Sequence, residues 1–409
     1  MVLALRKAPT LELQPMIRAI KGETAFTFLA LARKLSREGR RIISFGIGQP
    51  DYVTPYHIRE EAKRALDEGF TGYTETAGIP ELREAIAWYL KSRYGADVDA
   101  EEIIVTTGAK TAIFVAIASY VRPGDEVIIV DPTYYAYAQV VKLFGGKPVY
   151  VPLSFEPGYG FKLDVDAIEK AVSEKTRMIV INNPNNPTGS VITPEELDKL
   201  YEIVVKNNLI LLSDEIYDNF LYGGVRFKSV LQLEDWRDHV VYVNGFSKTF
   251  SMTGWRLGYL VARREVIPSM IDLAVTVYSC APSIAQRAGI AAIRGDWGPV
   301  REMVSEFERR AKTLYSILSE SEYIEAYMPQ GAFYMFPRVS KFLRKTGMTV
   351  EDMVYYLLYD HGVLVLPGTA FSEIVGGDYV RISFATKMED VIEGSRVIVE
   401  ALKLKASQS

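Results

Sequence analysis

One lysine, Lys248, lies in a stretch of small and apolar residues, and such surroundings could make it a reactive amine rather than an exposed surface charge. The stretch follows the hydrophobic run 240–243, which predicts a buried strand, and Arg256 comes eight positions later. A lysine in such surroundings is poorly hydrated, which favours its neutral amine and makes it a candidate nucleophile. An exposed loop lysine is the alternative, and other stretches of the chain must decide between the two.

A carboxylate, Asp214, ends another very apolar run, 209–213. A buried acid at this place needs a cationic partner. The protonated ring nitrogen of a cofactor would supply one, and the acid would keep that ring protonated as an electron sink. The alternative role of Asp214 is a helix N-cap. If a helix does start here, Tyr217 lies three residues on and points the same way.

The stretch from Val105 to Phe114 has the pattern of a strand, a tight turn at Gly108 and the first turn of a helix. Backbone N–H groups at a helix start bind anions such as a phosphate, and the helix dipole adds to the attraction. Arg256 is a natural second ligand for a phosphate, through charge-assisted hydrogen bonds. Judged alone, an ordinary turn between a strand and a helix is the simpler interpretation.

Two further strand ends offer groups for a flat ligand. The turn 182–189 reads NNPNNPTG and is stiffened by two prolines, so that Asn186 can donate a hydrogen bond to a bound ring. Tyr134 follows the run 127–131 and could stack on the same ring, whereas a place in the core is its alternative. Each stretch is weak alone, but each supplies a different part of one site.

A scaffold that brings strand ends together is predicted by the order of the apolar runs. Seven β-rich runs are joined mostly by helix-length connections, which predicts an α/β fold with a mainly parallel, doubly wound sheet. The runs are Ile103–Thr107, Val127–Asp131, Pro148–Pro152, Met178–Asn182, Leu209–Ser213, Val240–Asn244 and Gly258–Ala262. Ligands of such sheets bind outside the carboxyl ends of the strands, where the residues above fall.

A smaller α/β domain is predicted after the sheet, beyond a long charged helical pattern at Pro299–Glu320. Its predicted strands and helix are Ala332–Phe336, Val363–Leu366, Tyr379–Phe384 and the helix Val350–His361. An amphipathic helix is predicted near the start, at Thr24–Arg37. The predicted division is an N-terminal segment that joins the small domain (1–45), a large domain (46–295), and a connector helix with the small domain (296–409).

The composition is that of an ordinary globular protein. The 409 residues are 48% hydrophobic and 24% charged, and the net charge of −4 gives no support to nucleic-acid or membrane-surface binding. No run reaches the ~18 apolar residues of a membrane span, and the first residues form too short an apolar run for a signal peptide. The single cysteine, Cys280, excludes an internal disulfide and favours a reducing compartment, so a cytoplasmic protein is expected.

Common ligand signatures are missing from the sequence. There is no P-loop pattern, and Gly46-Ile-Gly48 continues with Asp51 where a dinucleotide fingerprint needs a glycine. The three histidines are scattered and, with one cysteine, predict no metal site. No GxSxG elbow of a serine hydrolase occurs. The predicted sheet therefore needs another ligand.

Taken together, these stretches resemble the class I aminotransferases, pyridoxal-phosphate enzymes of fold type I, across nearly the whole chain. The motifs that carry the resemblance are SDEIY, NNPTG, GFSK and GWRLGY. The resemblance is strongest to the aspartate enzymes of thermophiles. It implies a homodimer with shared active sites that exchanges an amino group between an L-amino acid and a 2-oxo acid.

The resemblance also implies a role for each residue around the cofactor ring. Lys248 becomes the Schiff-base lysine and the general acid and base, and Asp214 the partner of the pyridine nitrogen. Tyr217 and Asn186 would bind the ring oxygen, and Tyr134 would stack on the ring. In many members the stacking residue is a tryptophan, and a tyrosine should keep that role.

Phosphate and substrate positions follow from the same resemblance. The phosphate positions are Gly108, Ala109, Lys110 and Arg256, and Tyr73, which would reach the phosphate of the neighbouring subunit. Many members carry a serine ligand where this chain has Gly245, and Ser247 could supply a hydroxyl instead. Arg381 matches the arginine that clamps the substrate α-carboxylate, a task for which lysine is a poor substitute. Gly48 matches a glycine whose backbone meets the same carboxylate.

Lys110 bears on the choice of substrate, because many relatives have a small or hydroxyl residue there. It could be a second phosphate cation, a hydrated lysine at a helix start, or a cation that meets the distal carboxylate of an acidic substrate. The last interpretation predicts aspartate and glutamate as donors, with 2-oxoglutarate as acceptor. Aromatic or alanine-type donors, a β-lyase on the same fold and a non-catalytic cofactor-sensing regulator are the alternatives.

Overall fold

Apolar runs and helical patterns alternate along the chain, and the computed structural model, which describes residues 17, 20, 22 and 24–408, turns them into a layered α/β fold. In chain order the strands are β1 (Ile43–Ser44), β2 (Ile103–Thr106), β3 (Glu126–Asp131), β4 (Lys147–Pro152), β5 (Ser154–Glu156), β6 (Gly160–Lys162), β7 (Thr176–Asn182), β8 (Ile210–Asp214), β9 (Val240–Gly245), β10 (Gly258–Val261), β11 (Tyr334–Met335), β12 (Val363–Leu364), β13 (Leu366–Pro367) and β14 (Val380–Ser383).

The first helix whose bounds the structure describes is the amphipathic one that the sequence predicts at Thr24–Arg37. In chain order they are α1 (Thr24–Arg37), α2 (Tyr56–Asp67), α3 (Pro80–Tyr94), α4 (Ala109–Tyr120), α5 (Ala136–Leu143), α6 (Val165–Ala171), α7 (Pro194–Lys206), α8 (Trp236–His239), α9 (Ile267–Tyr278), α10 (Ser283–Arg294), α11 (Gly298–Leu318), α12 (Ser340–Thr346), α13 (Val350–His361) and α14 (Met388–Ser407).

The large sheet has seven strands in the order β2-β10-β9-β8-β7-β3-β4. All neighbouring pairs are parallel except those of β10, which is antiparallel to both β9 and β2. The prediction of a mainly parallel seven-stranded sheet is therefore confirmed. Apart from the edge strand β4, which is mostly half-buried or exposed, the strands are buried nearly throughout, as expected for a sheet covered by helices on both faces.

Alternate residues of the strands feed two separate cores, because successive side chains of a strand point to opposite faces. Ile104 and Ile129 pack with residues of α4, α5 and α9 on one face. Val105 and Ile128 pack with residues of α3, α7 and α10 on the other. The sheet is thus the middle of three layers, and its carboxyl edge stays open for a ligand.

A smaller domain follows α11, which ends at Leu318 close to the predicted end of the connector. Its sheet is β11-β14-β13, and β12 pairs in parallel with β1, so that Ile43 lies opposite Val363. The predicted run Val363–Leu366 is therefore two strands, since its halves pair with different partners. The predicted strand Ala332–Phe336 is too long, because only Tyr334 and Met335 pair with the neighbouring strand β14.

The pairing of β1 with β12 joins the N-terminal segment to the small domain. The boundaries 1–45, 46–295 and 296–409 themselves stay a prediction, and most of the first 23 residues lie outside the described part. In that described part, no helix combines the length and apolar character needed to cross a bilayer. Nor do the described residues bring three metal-ligating side chains together.

Candidate active site

A cavity of about 360 Å³ lies at the carboxyl edge of the large sheet, between that edge, the small domain and α1. Strands β2, β3, β7, β8 and β9 all end at this edge. Most of the residues that the sequence singles out line the cavity, namely Gly48, Ala109, Lys110, Tyr134, Asn186, Asp214, Tyr217, Ser247, Lys248, Arg256 and Arg381. The structure therefore brings together groups that are up to 333 positions apart in sequence.

Lys248 lies in a tight turn directly after β9. The turn is closed by backbone hydrogen bonds from Ser251 to Lys248 and from Met252 to Ser247, of 3.2 and 3.1 Å. The side chain is half-buried, and its Nζ donates to the backbone oxygen of Gly48 at 2.6 Å. This bond points the amine into the cavity, away from the surface that an ordinary loop lysine would seek.

Asp214 ends β8 at the base of the cavity and is buried. Its Oδ2 accepts a hydrogen bond from Tyr137 Oη at 2.8 Å, and its Oδ1 accepts from the backbone N–H of Ile216 at 3.1 Å. Burial raises the pKa of Asp214 to about 6, although these hydrogen bonds and the charge of Lys248 oppose the rise. A carboxylate held in this way favours a cationic N–H donor from the cavity.

No helix starts at Asp214, so both the N-cap alternative and the expected helical position of Tyr217 are wrong. Residues 216–219 form turns instead, because the carboxylate of Asp214 caps the N–H of Ile216 in a local turn. The turn still directs Tyr217 into the cavity, where its Oη lies 2.9 Å from Tyr334 Oη.

The anion-binding stretch has the predicted form, since α4 begins at Ala109 directly after Gly108. A Cβ on Gly108 would lie 2.4 Å from Nη2 of Arg256, and a Cβ on Gly258 would lie 2.4 Å from the backbone N of Ala109. Glycine is required at both places because the arginine and the helix start approach so closely. Backbone N–H groups and a guanidinium thus converge on one small volume, which suits a phosphate.

Arg381 is buried on β14 and faces the same cavity. Its Nη1 donates to Oδ1 of Asn186 at 3.1 Å, and its Nη2 donates to the backbone oxygen of Gly46 at 2.8 Å. Its Cζ lies 4.5 Å from the ring centroid of Tyr334 and 4.4 Å from that of Phe371. The guanidinium is therefore fixed in plane and position, as recognition of a carboxylate by two hydrogen bonds requires.

Lys110 is exposed at the second position of α4, at the mouth of the cavity. Its Nζ lies 3.3 Å from Tyr135 Oη and 5.4 Å from the ring centroids of both Tyr134 and Tyr135. Its side chain thus extends toward these tyrosines, whereas Arg256 lies directly against Gly108.

Tyr73 and Gly48 lie at two different kinds of place. Tyr73 is 93% exposed and does not line the cavity of its own subunit. Gly48 lines the cavity, and a Cβ there would lie 2.6 Å from Tyr334 Oη, which explains the need for glycine. Its place beside Lys248 and near Arg381 is compatible with a backbone contact to a substrate.

Sequence reasoning missed three groups of site residues. Tyr137 binds Asp214, and Tyr334 contacts Tyr217 and Arg381. The third group is one face of α1, whose lining residues are Ala25, Phe26, Leu29 and Arg33. A tyrosine in the first turn of the helix after β3 was a usable signal for Tyr137, because that turn faces the carboxyl edge. Nothing near Tyr334 in sequence points to the site.

These features fit pyridoxal phosphate. The cavity is large enough for the flat ring, and the buried carboxylate of Asp214 suits its pyridine nitrogen. The close approach of Arg256 and the helix start at Gly108 suits its phosphate. Lys248 provides an amine on the same cavity for the cofactor aldehyde.

Comparison with known proteins agrees with the site. The family described as aminotransferase class I and II matches residues 40–398. The chain is 49% identical to an aspartate aminotransferase of Sulfurisphaera tokodaii, over 94% of this chain and 96% of that protein. It is 41% identical to aromatic-amino-acid aminotransferase 2 of Thermococcus litoralis, over 89% and 93%.

A solved structure shares the whole architecture. Aspartate aminotransferase from Thermus thermophilus with maleate superposes with a TM-score of 0.89 at 34% identity, covering 95% of this chain and 99% of that one. With a family match over most of its length, the chain belongs to the class I and II aminotransferases and is a pyridoxal-phosphate-dependent enzyme that catalyses transamination.

Proposed function

We propose that this enzyme is a homodimeric aspartate aminotransferase, which converts L-aspartate and 2-oxoglutarate to oxaloacetate and L-glutamate. The observation that carries the proposal is that an amine, a buried carboxylate and a buried guanidinium line one cavity, from Lys248, Asp214 and Arg381. Relatives such as the Sulfurisphaera enzyme are named aspartate aminotransferases, which supports aspartate as donor. The Thermus structure contains maleate, a dicarboxylate like the proposed substrates.

The proposed work of the residues around the cofactor is to hold it and to control its charge. When bound, pyridoxal phosphate supplies an aldehyde for the substrate amine and a ring that accepts electrons. Asp214 would accept a hydrogen bond from the pyridine nitrogen and keep it protonated. Arg256 and the amides at the start of α4 would hold the phosphate, while Tyr217 and Asn186 would donate to the ring oxygen and Tyr134 would cover the ring.

Lys248 is proposed as the group that moves protons. Its Nζ would hold the cofactor through the aldehyde and, once free, would accept the proton of the substrate α-carbon. The same nitrogen would then donate that proton again, acting as a base and an acid in turn. The Gly48 oxygen, 2.6 Å away, keeps the amine near the cavity floor.

Arg381 is proposed to bind the α-carboxylate that all donors and acceptors share. Its two hydrogen bonds and the two aromatic rings beside it fix the plane of the guanidinium. A planar fork in a fixed position binds both oxygens of a carboxylate and so orients the α-carbon toward Lys248. The backbone of Gly48 would meet the same carboxylate.

Lys110 is proposed to bind the distal carboxylate, which would distinguish acidic substrates from others. Arg256 and the helix amides are already grouped for the phosphate, whereas Lys110 extends toward Tyr135 at the cavity mouth. A lysine in the first turn of a helix is unfavourable against the dipole by roughly 0.3–1 kcal/mol, so an anionic partner is expected.

The test is a panel of donors, each assayed with 2-oxoglutarate on the purified holoenzyme. Aspartate, alanine and phenylalanine are the donors that separate the candidates. We expect kcat/KM for aspartate to exceed that for alanine and phenylalanine by at least about tenfold, since one charged hydrogen bond contributes roughly 1.5–3 kcal/mol. A panel led by phenylalanine would overturn the aspartate assignment.

An aromatic aminotransferase is the second candidate, and two observations favour it. Tyr134, Tyr135 and the exposed Phe26 of α1 lie at or beside the cavity mouth, where they could contact an aromatic side chain. A relative at 41% identity is named as an aromatic-amino-acid aminotransferase. A β-lyase is distinguished by a separate assay without an acceptor acid, because from an amino acid that carries a leaving group on its β-carbon it would release pyruvate and ammonia.

The homodimer and the compartment belong to the same proposal. Tyr73 is 93% exposed and would complete the phosphate site of the partner subunit. The single cysteine, Cys280, favours a reducing compartment, and we therefore propose that the enzyme works in the cytoplasm.

A further inference from the structure

A buried carboxylate, Asp131, ends β3 beside the active-site cavity but does not line it. It is 1% exposed, and among the residues that the structure describes it forms no ion pair with a lysine, arginine or histidine. Burying a carboxylate without a cation is costly unless hydrogen bonds replace the lost water. The proposed reaction does not use this carboxylate, so the reason for its burial must lie in the hydrogen bonds that it accepts.

Its hydrogen bonds come from the small domain. Ser372 Oγ donates to Asp131 Oδ2, and the backbone N–H of Glu373 donates to Oδ1 at 3.2 Å. Ser372 Oγ in turn accepts from the N–H groups of Val375 and Gly376, at 2.8 and 3.0 Å. Burial raises the pKa of Asp131, and these hydrogen bonds oppose the rise. Asp131 thus binds the hydroxyl of Ser372, and the same hydroxyl accepts hydrogen bonds from the loop that follows it in the small domain.

A second hydrogen bond joins the same loop to the large domain at Phe371, the residue before Ser372. The N–H of Thr133 donates to the backbone oxygen of Phe371 at 2.9 Å. Phe371 is buried, and its ring centroid lies 4.4 Å from Cζ of Arg381. The end of β3 therefore fixes the backbone of the residue whose ring covers the guanidinium.

We propose that Asp131 and Ser372 form a clasp between the two domains that positions Arg381 for the substrate carboxylate. The clasp acts through Phe371, and Asp131 and Ser372 are positioning residues rather than catalytic ones. The inference rests on the proposed function, since it takes Arg381 to be the α-carboxylate ligand. It adds that the large domain controls the geometry of this arginine although Arg381 belongs to the small domain.

The physical reason lies in the arginine side chain. A guanidinium binds both oxygens of a carboxylate only when its plane is held, and a stacked aromatic ring holds that plane. If the loop 371–376 shifts, the ring of Phe371 moves away and Arg381 gains rotational freedom. Substrate binding then has to restrict that freedom, which weakens affinity for every substrate that carries the α-carboxylate.

The experiment measures maleate binding to the holoenzyme by calorimetry, together with KM and kcat for aspartate. Ser372→Ala removes the donor, and Asp131→Asn removes the charge of the acceptor. We expect maleate to bind roughly tenfold more weakly in each, equivalent to about 1.4 kcal/mol. We expect KM to rise by a similar factor while kcat changes less than about twofold. The double variant should lose little more than the worse single one, since both act in one contact.

Ser395→Ala is the matched control, because Ser395 is a buried serine of the small domain whose Oγ donates to Val391 O at 2.6 Å, on α14. Its maleate affinity should equal that of the wild type. A loss of less than about threefold in Ser372→Ala, or an equal loss in Ser395→Ala, would overturn the clasp. If Asp131→Asn does not fold, Ser372→Ala decides alone, with its Tm as the check of folding.

Arg381→Lys separates this inference from the proposed function. If that variant binds maleate as well as the wild type, the role of Arg381 as carboxylate ligand fails, and the clasp fails with it. If Arg381→Lys loses affinity and the clasp variants do not, only the clasp is wrong. Visible absorbance of the bound cofactor should stay unchanged in Ser372→Ala, because the clasp does not touch the proposed cofactor ligands.

Discussion

At the scale of single residues, the contact between Tyr137 and Asp214 decides how the buried carboxylate is charged. Burial raises the pKa of Asp214 to about 6, and the hydrogen bond from Tyr137 opposes the rise. Removing the hydroxyl in Tyr137→Phe should therefore weaken the ionised carboxylate as a partner for the ring nitrogen. We expect kcat to fall roughly tenfold, from a lost hydrogen bond to a charged group.

The steady-state kinetics of Tyr137→Phe are compared with those of Asp214→Asn and Tyr201→Phe. Asp214→Asn should retain the cofactor but turn over more slowly still, because its amide cannot keep the ring nitrogen protonated. Tyr201→Phe is the matched control, since its hydroxyl donates to Asp235 O, outside the cavity. Equal kcat in Tyr137→Phe and Tyr201→Phe would show that the bond to Asp214 has no part in turnover.

Lys110 carries the prediction on substrate choice. Lys110→Ala should lower kcat/KM for aspartate by about 10- to 100-fold while leaving phenylalanine nearly unchanged, because only aspartate has a distal carboxylate to lose. The control is Lys206→Ala, an exposed lysine paired with Glu169 on the outside of the fold. An equal loss for both donors would assign Lys110 to the phosphate instead.

The residues predictable from sequence were those in short motifs at strand ends. Lys248, Asp214 and Asn186 each follow an apolar run, and parallel strands bring such ends to one edge. Tyr334 could not be found in this way, because its contact with Tyr217 spans 117 positions and depends on how the small domain packs.

At the scale of elements, the end of β8 carries a second buried acid, Glu215, directly after Asp214. Its Oε1 accepts from the N–H of Val230 at 2.9 Å and from Ser213 Oγ at 3.2 Å. Burial raises the pKa of Glu215 to about 8, with the charge of nearby Asp218 adding to the rise. At neutral pH the folded protein therefore holds a proton here that the unfolded chain releases near pH 4.5.

Because of this proton, the free energy of unfolding decreases as pH rises. The contribution of Glu215 is fully present below about pH 4.5 and is lost as pH rises toward 8, at about 1.4 kcal/mol per pH unit. Glu215→Gln should remove that slope. Urea unfolding at fixed protein concentration between pH 5 and 8 measures it, with the exposed Glu234→Gln as control. A wild-type slope in Glu215→Gln would mean that Glu215 is ionised when folded.

The elements also show where sequence patterns stop being informative. The period of an apolar run predicts that a strand exists, but its partners decide where it ends. Val363–Leu366 is broken because Val363 pairs with β1 and Leu366 with β14. Similarly, a turn and not a helix follows Asp214, because its carboxylate accepts a hydrogen bond from the backbone N–H of Ile216, two residues later. Local side-chain bonds of this kind compete with helix formation and leave little trace in hydrophobic spacing.

At the scale of the whole molecule, the layered sheet and the small domain were predictable, since long alternating patterns tolerate errors at their ends. The clasp of Asp131 with Ser372 was not, because it joins residues 241 positions apart across two domains. The same limit applies between subunits. Among the described residues Tyr73 makes no hydrogen bond or ring contact, and its 93% exposure suggests that its partner belongs to another subunit.

Subunit mixing tests that last point. Tyr73→Ala and Lys248→Ala homodimers should each be nearly inactive, the first for want of a phosphate contact and the second for want of the amine. In a mixture that exchanges subunits freely, half of the dimers are hybrids, and each hybrid has one site with neither change if Tyr73 acts across the interface. We expect about a quarter of the wild-type activity to return. If Tyr73 served its own subunit, both sites of every hybrid would be damaged and no activity would return, and an active monomer in ultracentrifugation would exclude a shared site altogether.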